Sequence, residues 1–407
     1  MDALEQAVQV TFRFPVYFTT GVFTSANPVL HTLIAGASER LPSDTIAVVD
    51  DGVVRAHADV VAAFEGYCRD HSTAIRLAGP VLVLPGGEQV KNGLRYVDEV
   101  HRAIHDAALC RQSYVIAVGG GALLDAAGYA AATAHRGVRM IRIPTTVLAQ
   151  DDSAVGVKNG VNAFGTKNYF GTFAPPFAVI NDFSFLPTLA DRDWRSGVSE
   201  AIKAALIKDA GFFADLEAWA PTIVARDARV MEQVVRRSAA LHLAHIARGG
   251  DPFELGSSRP LDFGHWAAHK LELLTDHRLR HGETVGIGLA LDCTYSWLSG
   301  WLPEADWRRI LDLIQGIGLS VYAPELGEHL DQPDHPRSVL HGLEEFREHL
   351  GGRLTLLMLR SIGRPFEVHE VDRKVMIRSI DVLRRLEEAR SVGSTAGLID
   401  GLPRPQS

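Results

Sequence analysis

The chain has 407 residues, 46% hydrophobic and 22% charged, with a net charge of −8. That is length enough for two domains with separate cores, and the negative balance argues against nucleic-acid binding and against an anionic membrane surface. Three scattered cysteines, Cys68, Cys110 and Cys293, form no C-x-x-C, so a disulfide framework is not expected and a reducing cytoplasm fits best. The opening MDALEQAVQV lacks a basic region ahead of an apolar run, so it does not read as a signal peptide. No stretch approaches the ~20 apolar residues of a membrane span.

Up to residue 190, short β-rich runs alternate with helical stretches, the pattern of an α/β, Rossmann-like domain with a largely parallel sheet. Strands are predicted at 45–50, 81–87, 114–121, 140–146 and 177–182, with helices at 99–109 and 125–136. Each strand ends at Asp, Gly or Thr, on the edge where such sheets build ligand sites. From residue 191 onward the period becomes helical, with helices expected at 195–209, 226–248, 264–274, 283–299, 304–316 and 370–390. Gly249-Gly250 and Gly300 read as helix stops, 324–336 as an irregular loop, and the tail GLPRPQS as frayed. The expectation is an α/β domain over 1–190 and an all-α domain over 191–407, with a cleft between them.

Gly119-Gly120-Gly121 follows a strand, precedes a helix and has Asp125 four residues on. Glycines there let backbone N–H groups approach a pyrophosphate at a helix N-terminus, although the run is not G-x-G-x-x-G and also fits a plain tight turn. Asp50 ends a strand where a carboxylate can bind ribose hydroxyls, and Glu88 and Lys91 of GGEQVK lie at another strand end. The segment 143–173 gathers Thr145, Thr146, Asp151, Asp152, Lys158, Asn162, Lys167 and Asn168 between glycines. Such polarity ordinarily faces water; this density of donors fits recognition of phosphate and polyol hydroxyls.

In GVSEAIKAALIKD, Glu200 and Lys203 are three apart and share a helix face. His265 stands in LDFGHWAAHKLE and His281 heads HGETVGIGLAL. One carboxylate and two imidazoles make a catalytic zinc ligand set that keeps a coordination position open, and a lysine beside it can stabilise charge on a bound oxygen. Seventeen histidines make a chance pairing easy, and His265 with His269, at i,i+4, is a second ligand pair.

Taken in order, PGGEQVK, VGGGALLDAAGYAA, IPTTVLAQDDSAVGVKNGVN, TKNYFGTF, GVSEAIKAALI, FGHWAAH and HGETVGIG resemble 3-dehydroquinate synthase and the wider sugar phosphate cyclase family. The resemblance runs from residue 45 to 295 and more weakly beyond. It implies NAD in the α/β domain, zinc or cobalt in the helical domain, and Glu200, His265 and His281 as metal ligands. Around NAD it would place Asp50, Glu88, Lys91, Gly120, Gly121, Asp125, Thr145, Thr146, Asp152, Lys158 and Lys167. Lys158, Asn168, Lys203 and His269 match substrate-contacting positions. Arg136 matches an arginine that reaches the neighbouring subunit's phosphate site, which implies a homodimer. The implied chemistry is oxidation of a sugar phosphate by NAD⁺, loss of phosphate, return of the hydride and closure to a carbocycle.

The departures bear on the substrate. Asp262 replaces the asparagine of L-N-x-G-H, and a lysine becomes His242 (or Ala244, depending on a two-residue gap). An arginine falls at Ser258 with Arg259 displaced by one, and EFREHLGG at 345–352 replaces a D-K-K stretch. Fewer cations and one more carboxylate argue against the carboxylate-bearing heptulosonate. Aspartate at position 262 resembles cyclases that use sedoheptulose 7-phosphate, and GGDPFELGSSRPLDFGHWAAHKLE resembles the branch called EboD. The alternatives are 3-dehydroquinate synthase proper, a metal-dependent polyol or glycerol phosphate dehydrogenase, and a non-catalytic scaffold.

Overall fold

The computed structural model describes residues 3–391; the tail expected to fray lies outside them. The chain divides into two units, one of Met1–Pro144 with Val157–Asp182, the other of Thr145–Gly156 with Phe183–Ser407. Among the described residues no helix is long and apolar enough to cross a membrane.

The first unit is built on a seven-stranded sheet. Its strands are β1 (Val16–Thr19), β2 (Ser43–Asp50), β3 (Ile75–Leu77), β4 (Leu82–Leu84), β5 (Tyr114–Gly119) and β6 (Arg139–Pro144). The hairpin strands β7 (Lys158–Ala163) and β8 (Thr166–Phe173) come next, and β9 (Ala178–Asp182) returns to the main sheet. The sheet order is β1-β9-β6-β5-β2-β3, with β4 also on β2, and every pair is parallel. β5 is buried along its whole length, which is why its sequence is an unbroken apolar run rather than an alternating one. From β2 the chain moves outward to β3 and β4, whereas from β5 it moves the other way to β6. The carboxyl ends of β2 and β5, at Asp50 and Gly119, therefore flank a topological switch point, the place where open α/β sheets bind ligands.

The polar stretch within 143–173 is not all loop: β7 and β8 pair antiparallel around the two-residue turn Phe164-Gly165. Both turn residues have positive φ, 53° and 73°, as a tight two-residue hairpin of the primed class requires. Phenylalanine in the place that Asn, Asp or Gly normally fills hides this turn from a sequence reading.

In the second unit, the helices Val198–Lys208, Ala228–Arg248, His265–Leu274, His281–Leu298 and Glu304–Gly316 fall where the periodicity predicts. Several elements were not expected, the helix His341–His349 among them. The helix Ala210–Val224 contains Pro221, and β10 (Leu356–Ser361) pairs antiparallel with β11 (Arg364–Val368), so the unit is helical with one small hairpin. The helix His281–Leu298 is buried on all faces except at Glu283 and its first residue and forms the unit's central post. Thr145–Gly156 clusters with this unit despite lying between strands of the other. Its helix Val147–Asp151 starts at Thr146, whose Oγ1 accepts from Ala149 N at 3.1 Å.

Candidate metal centre and nucleotide-binding edge

Three helices bring Glu200, His265 and His281 together because glycines remove the side chains that would hold them apart. A Cβ on Gly282 would lie 2.0 Å from the Ser196 carbonyl oxygen, and one on Gly288 would lie 2.0 Å from the Gly264 oxygen. Either contact is far inside van der Waals distance, so these backbones touch directly. Gly264 itself has φ +78°, a left-handed turn that starts the His265 helix.

Glu200 is almost fully buried. Its Oε1 has no hydrogen-bond partner and faces Nε2 of His281 at 3.4 Å and Nε2 of His265 at 3.6 Å. Those separations are long for hydrogen bonds and suit three ligands grouped about one cation. The other ring nitrogens are fixed from outside. His265 Nδ1 lies 3.1 Å from the Phe263 carbonyl oxygen, and His281 Nδ1 lies 2.6 Å from Glu272 Oε1. A carbonyl or carboxylate at Nδ1 keeps the proton there and turns the Nε2 lone pair toward the centre. The buried orphan oxygen and the two aimed imidazoles fit a divalent metal. His269, one turn beyond His265, stacks on His281 with ring centroids 5.9 Å apart. With Glu272 and His281 it forms a second possible triad that shares one imidazole.

Asp292 supports the same frame. It accepts from Trp266 Nε1 at 2.8 Å and from Gly264 N at 3.1 Å, gripping the start of the His265 helix. Burial pushes its carboxyl up to about 7 against the pull of those two donors. Neither Glu272 nor Asp292 was singled out in the sequence. Glu272 lies seven residues after His265 and three after His269, on one helical face, so the signal was present. Asp292 is the buried acidic residue within the apolar helix His281–Leu298, whose other carboxylate, Glu283, lies in its first turn.

Lys203 sits against this cluster, its Nζ 2.5 Å from Glu200 Oε2 and 3.3 Å from Asp152 Oδ1. Burial alone would lower the Lys203 ammonium, but Asp152 and Glu200, with a smaller contribution from Asp262, raise it above the ordinary lysine value. Burial would raise both carboxyls; Lys203 outweighs it, bringing Asp152 down to about 2 and Glu200 well below the usual range. His242 Nδ1 also lies on Asp152 Oδ1, at 2.9 Å, so it is His242 rather than Ala244 that enters this network. Arg259 pairs with Glu254 at 3.6 Å, and Ser258 hydrogen-bonds to Glu367.

Asp151 is different: it is fully buried, and neither carboxylate oxygen has a hydrogen-bond partner. Burial, then Asp152 and Glu200, push its pKa well above the carboxylate range, so the folded protein holds it neutral. An unfolded chain ionises this group above pH ~4. Native stability is therefore spent increasingly as pH rises from there toward the folded value. Asp151→Val should raise stability at pH 8 by about 1–3 kcal/mol, with a smaller gain at pH 4. Chemical denaturation at the two pH values checks this; a variant less stable than the parent at pH 8 contradicts it.

In the first unit, Asp50 at the end of β2 accepts from Gly52 N at 2.7 Å. A Cβ on Gly86 would lie 2.3 Å from its carboxylate, so the β4 loop passes directly over it. Burial raises the Asp50 carboxyl, with hydrogen bonds from Gly52 and Gly120 opposing. The helix Gly121–Thr133 begins where β5 ends, with Gly120 as its cap and no side chain on its first amides. Lys91, buried, lies 2.6 Å from both Asp125 Oδ2 and Asn168 Oδ1, and Glu88 accepts from Asn162 at 2.9 Å. Lys158 is exposed and Lys167 half-buried on the hairpin. Among the described residues this edge thus offers helix N-terminal amides without a side-chain cap and a carboxylate at a switch point, which fits a dinucleotide. Arg136 is exposed and, like His135 before it, left-handed, with φ 63°. Two successive residues there are in the left-handed region that side chains seldom adopt.

Together these features describe an α/β dinucleotide-type edge and a buried candidate metal centre on one chain. The model for the 3-dehydroquinate synthase N-terminal region matches residues 81–196, and that for the C-terminal region matches 197–333. The chain belongs to the 3-dehydroquinate synthase family. It is 34% identical to the 3-dehydroquinate synthase of Halorhodospira halophila over 78% of this chain and 88% of that protein. It is 32% identical to the 2-epi-5-epi-valiolone synthase of Streptomyces glaucescens over 92% of each. Among solved structures, the 2-epi-5-epi-valiolone synthase of Streptomyces hygroscopicus, with NAD⁺ and Zn²⁺ bound, superimposes with a TM-score of 0.82 at 27% identity, covering 94% of this chain and 99% of that one.

Proposed function

We propose that this chain is an NAD- and metal-dependent sugar phosphate cyclase that eliminates phosphate and forms a carbocycle, with sedoheptulose 7-phosphate or a related sugar phosphate as substrate. The observation that carries the reading is the buried convergence of Glu200, His265 and His281 with Lys203 on the Glu200 carboxylate. Glu200, His265 and His281 would hold Zn²⁺ or Co²⁺; Asp50, Glu88, Lys91, Gly120, Gly121, Asp125, Thr145, Thr146, Asp152, Lys158 and Lys167 would surround NAD. When bound, the metal polarises a substrate hydroxyl and NAD⁺ accepts and returns a hydride. Lys203, cationic throughout the working range, holds a substrate oxygen as charge develops on it. Glu272 and the Phe263 carbonyl keep both imidazoles oriented. Lys158, Asn168 and His269 are assigned to the substrate, and Arg136 to the phosphate site of a second copy in a homodimer.

The substrate preference rests on charge. Asp262 adds to the field that keeps Lys203 protonated, so a carboxylate stands where the family's asparagine would be neutral. Arg259 is engaged by Glu254, and Ser258 brings no charge. A substrate carboxylate would meet repulsion here, whereas a neutral ketose would not. The identity to 3-dehydroquinate synthases favours the heptulosonate as the second reading. Purified protein loaded with Zn²⁺ and NAD⁺ should release phosphate from sedoheptulose 7-phosphate faster than from the heptulosonate phosphate, without accumulating NADH. Release from the heptulosonate alone overturns the substrate assignment. Lasting NADH with a polyol makes the protein a dehydrogenase, and full cellular function without metal makes it a scaffold.

A further inference from the structure

His242 is brought to Asp152 by the helix Ala228–Arg248, and no step proposed above uses it. Its side chain is 12% exposed, and its Nδ1 lies 2.9 Å from Asp152 Oδ1, the oxygen that also faces Lys203. Asp152 is anionic under all working conditions because Lys203 overcomes its burial. An anion at Nδ1 keeps a proton on that nitrogen and leaves the lone pair on Nε2. Among the described residues Nε2 has no hydrogen-bond partner, and beside it lies Gly156, where a built Cβ would stand 3.7 Å away. A satisfied nitrogen on one side and an open one on the other is the arrangement of a general base with its orienting carboxylate.

The neighbours narrow the choice of proton carrier. Lys203, raised above the ordinary lysine value, keeps its protons, and Asp152, lowered to about 2, takes none. Glu200, held well below the usual range, takes none either. Imidazole is the side chain suited to change charge near neutrality. We propose that Asp152 and His242 form an acid–base dyad in which Nε2 of His242 exchanges a proton with a hydroxyl of the sugar held at the metal centre. This rests on the cyclase reading of that centre. In the forward step the hydroxyl O–H bond breaks, its electron pair stays on oxygen, and the proton bonds to Nε2. The Asp152 carboxylate balances the imidazolium. The proton then returns to an oxygen that gains charge later in the same turnover, so no outside acceptor is needed. Other charges near the pair are Asp151 from Val147–Asp151, Glu200 and Lys203 from Val198–Lys208, and Asp262, which acts through Lys203. Asp209 and Asp215 are taken by Arg237, and His245 and Arg248 follow on the same helix.

The test uses the full chain loaded with Zn²⁺ and NAD⁺, with sedoheptulose 7-phosphate as the probe. His242→Ala should lower kcat about 10²–10⁴-fold, flatten the acid limb of the pH profile, move KM little, and regain part of its rate with free imidazole. His242→Asn, which can still donate to Asp152, should stay slow. Full activity of His242→Asn overturns the dyad and leaves His242 a structural partner of Asp152, as does failure of imidazole to restore His242→Ala that melts like the parent. Nitrogen-15 NMR of the histidines gives a readout independent of turnover: the neutral form of His242 should carry its proton on Nδ1, and a proton on Nε2 overturns the proposal. If the parent releases phosphate from no sugar, the cyclase reading fails, and the NMR result still decides the dyad.

Discussion

Glu200→Gln should leave the protein without bound metal after dialysis and slow phosphate release by about 10³-fold or more, since several kcal/mol of charge stabilisation leave with the ion. An amide of nearly the same shape occupies the site, but it gives His265 and His281 no anionic third ligand. It also presents N–H groups either to the imidazole lone pairs or to Lys203. The ion pair at 2.5 Å is lost, and Lys203 remains buried with Asp152 alone. Removing one partner of a buried pair costs about 3–5 kcal/mol. Because the folded Glu200 carboxyl lies well below its ordinary value, its stabilisation is present above that ordinary range and fades as pH falls through the folded value. The stability gap between parent and variant should therefore narrow in acid. Metal analysis, with denaturant titration at pH 7 and at pH 3, checks both parts. A variant that keeps one metal per chain and its activity removes Glu200 from the ligand set.

The parallel strands, the long helices and the order of motifs were legible in the sequence because burial on both faces or one face leaves a periodic trace. Tyr114–Gly119 and His281–Leu298 are the clearest cases. The β7–β8 hairpin was not legible, since its turn is made by Phe164 and Gly165 in a conformation that Phe rarely takes. β10–β11 also escaped, being a short two-stranded element in a unit whose period is otherwise helical. At the candidate site, the residue types pointed to a ligand set, but spacing along the chain cannot report which ring nitrogen faces inward. That depends on Phe263 and Glu272, contacts made only when the helices have packed. Nor could sequence show that Thr145–Gly156 joins the helical unit, which is what puts Asp152 on both Lys203 and His242.

Lys203→Met carries the other large effect, and its deficit, like that of Glu200→Gln, grows as pH rises, but in a higher pH window. The lysine is 2% exposed and lies between buried Glu200 and half-buried Asp152, with Asp262 acting on it as well. Its folded pKa is raised above the ordinary lysine value, so its stabilisation is complete below the latter and lost only as pH rises through the former. Between pH 5 and 8 the parent should therefore show little slope from this group. Without the cation, burial and mutual repulsion push the two carboxyls up. Carboxyls raised in the folded state are stabilising only while protonated, so Lys203→Met should weaken steadily as pH climbs from 5 to 8. At pH 8 the deficit should reach about 3–5 kcal/mol, and added Zn²⁺, a cation on the same carboxylate, should recover part of it. Melting curves over that pH range, with and without Zn²⁺, measure all three effects. A Lys203→Met protein as stable as the parent at pH 8 without metal would mean that Lys203 serves the substrate alone. A deficit that Zn²⁺ repairs would show that the same lysine balances the charge of the metal-free centre.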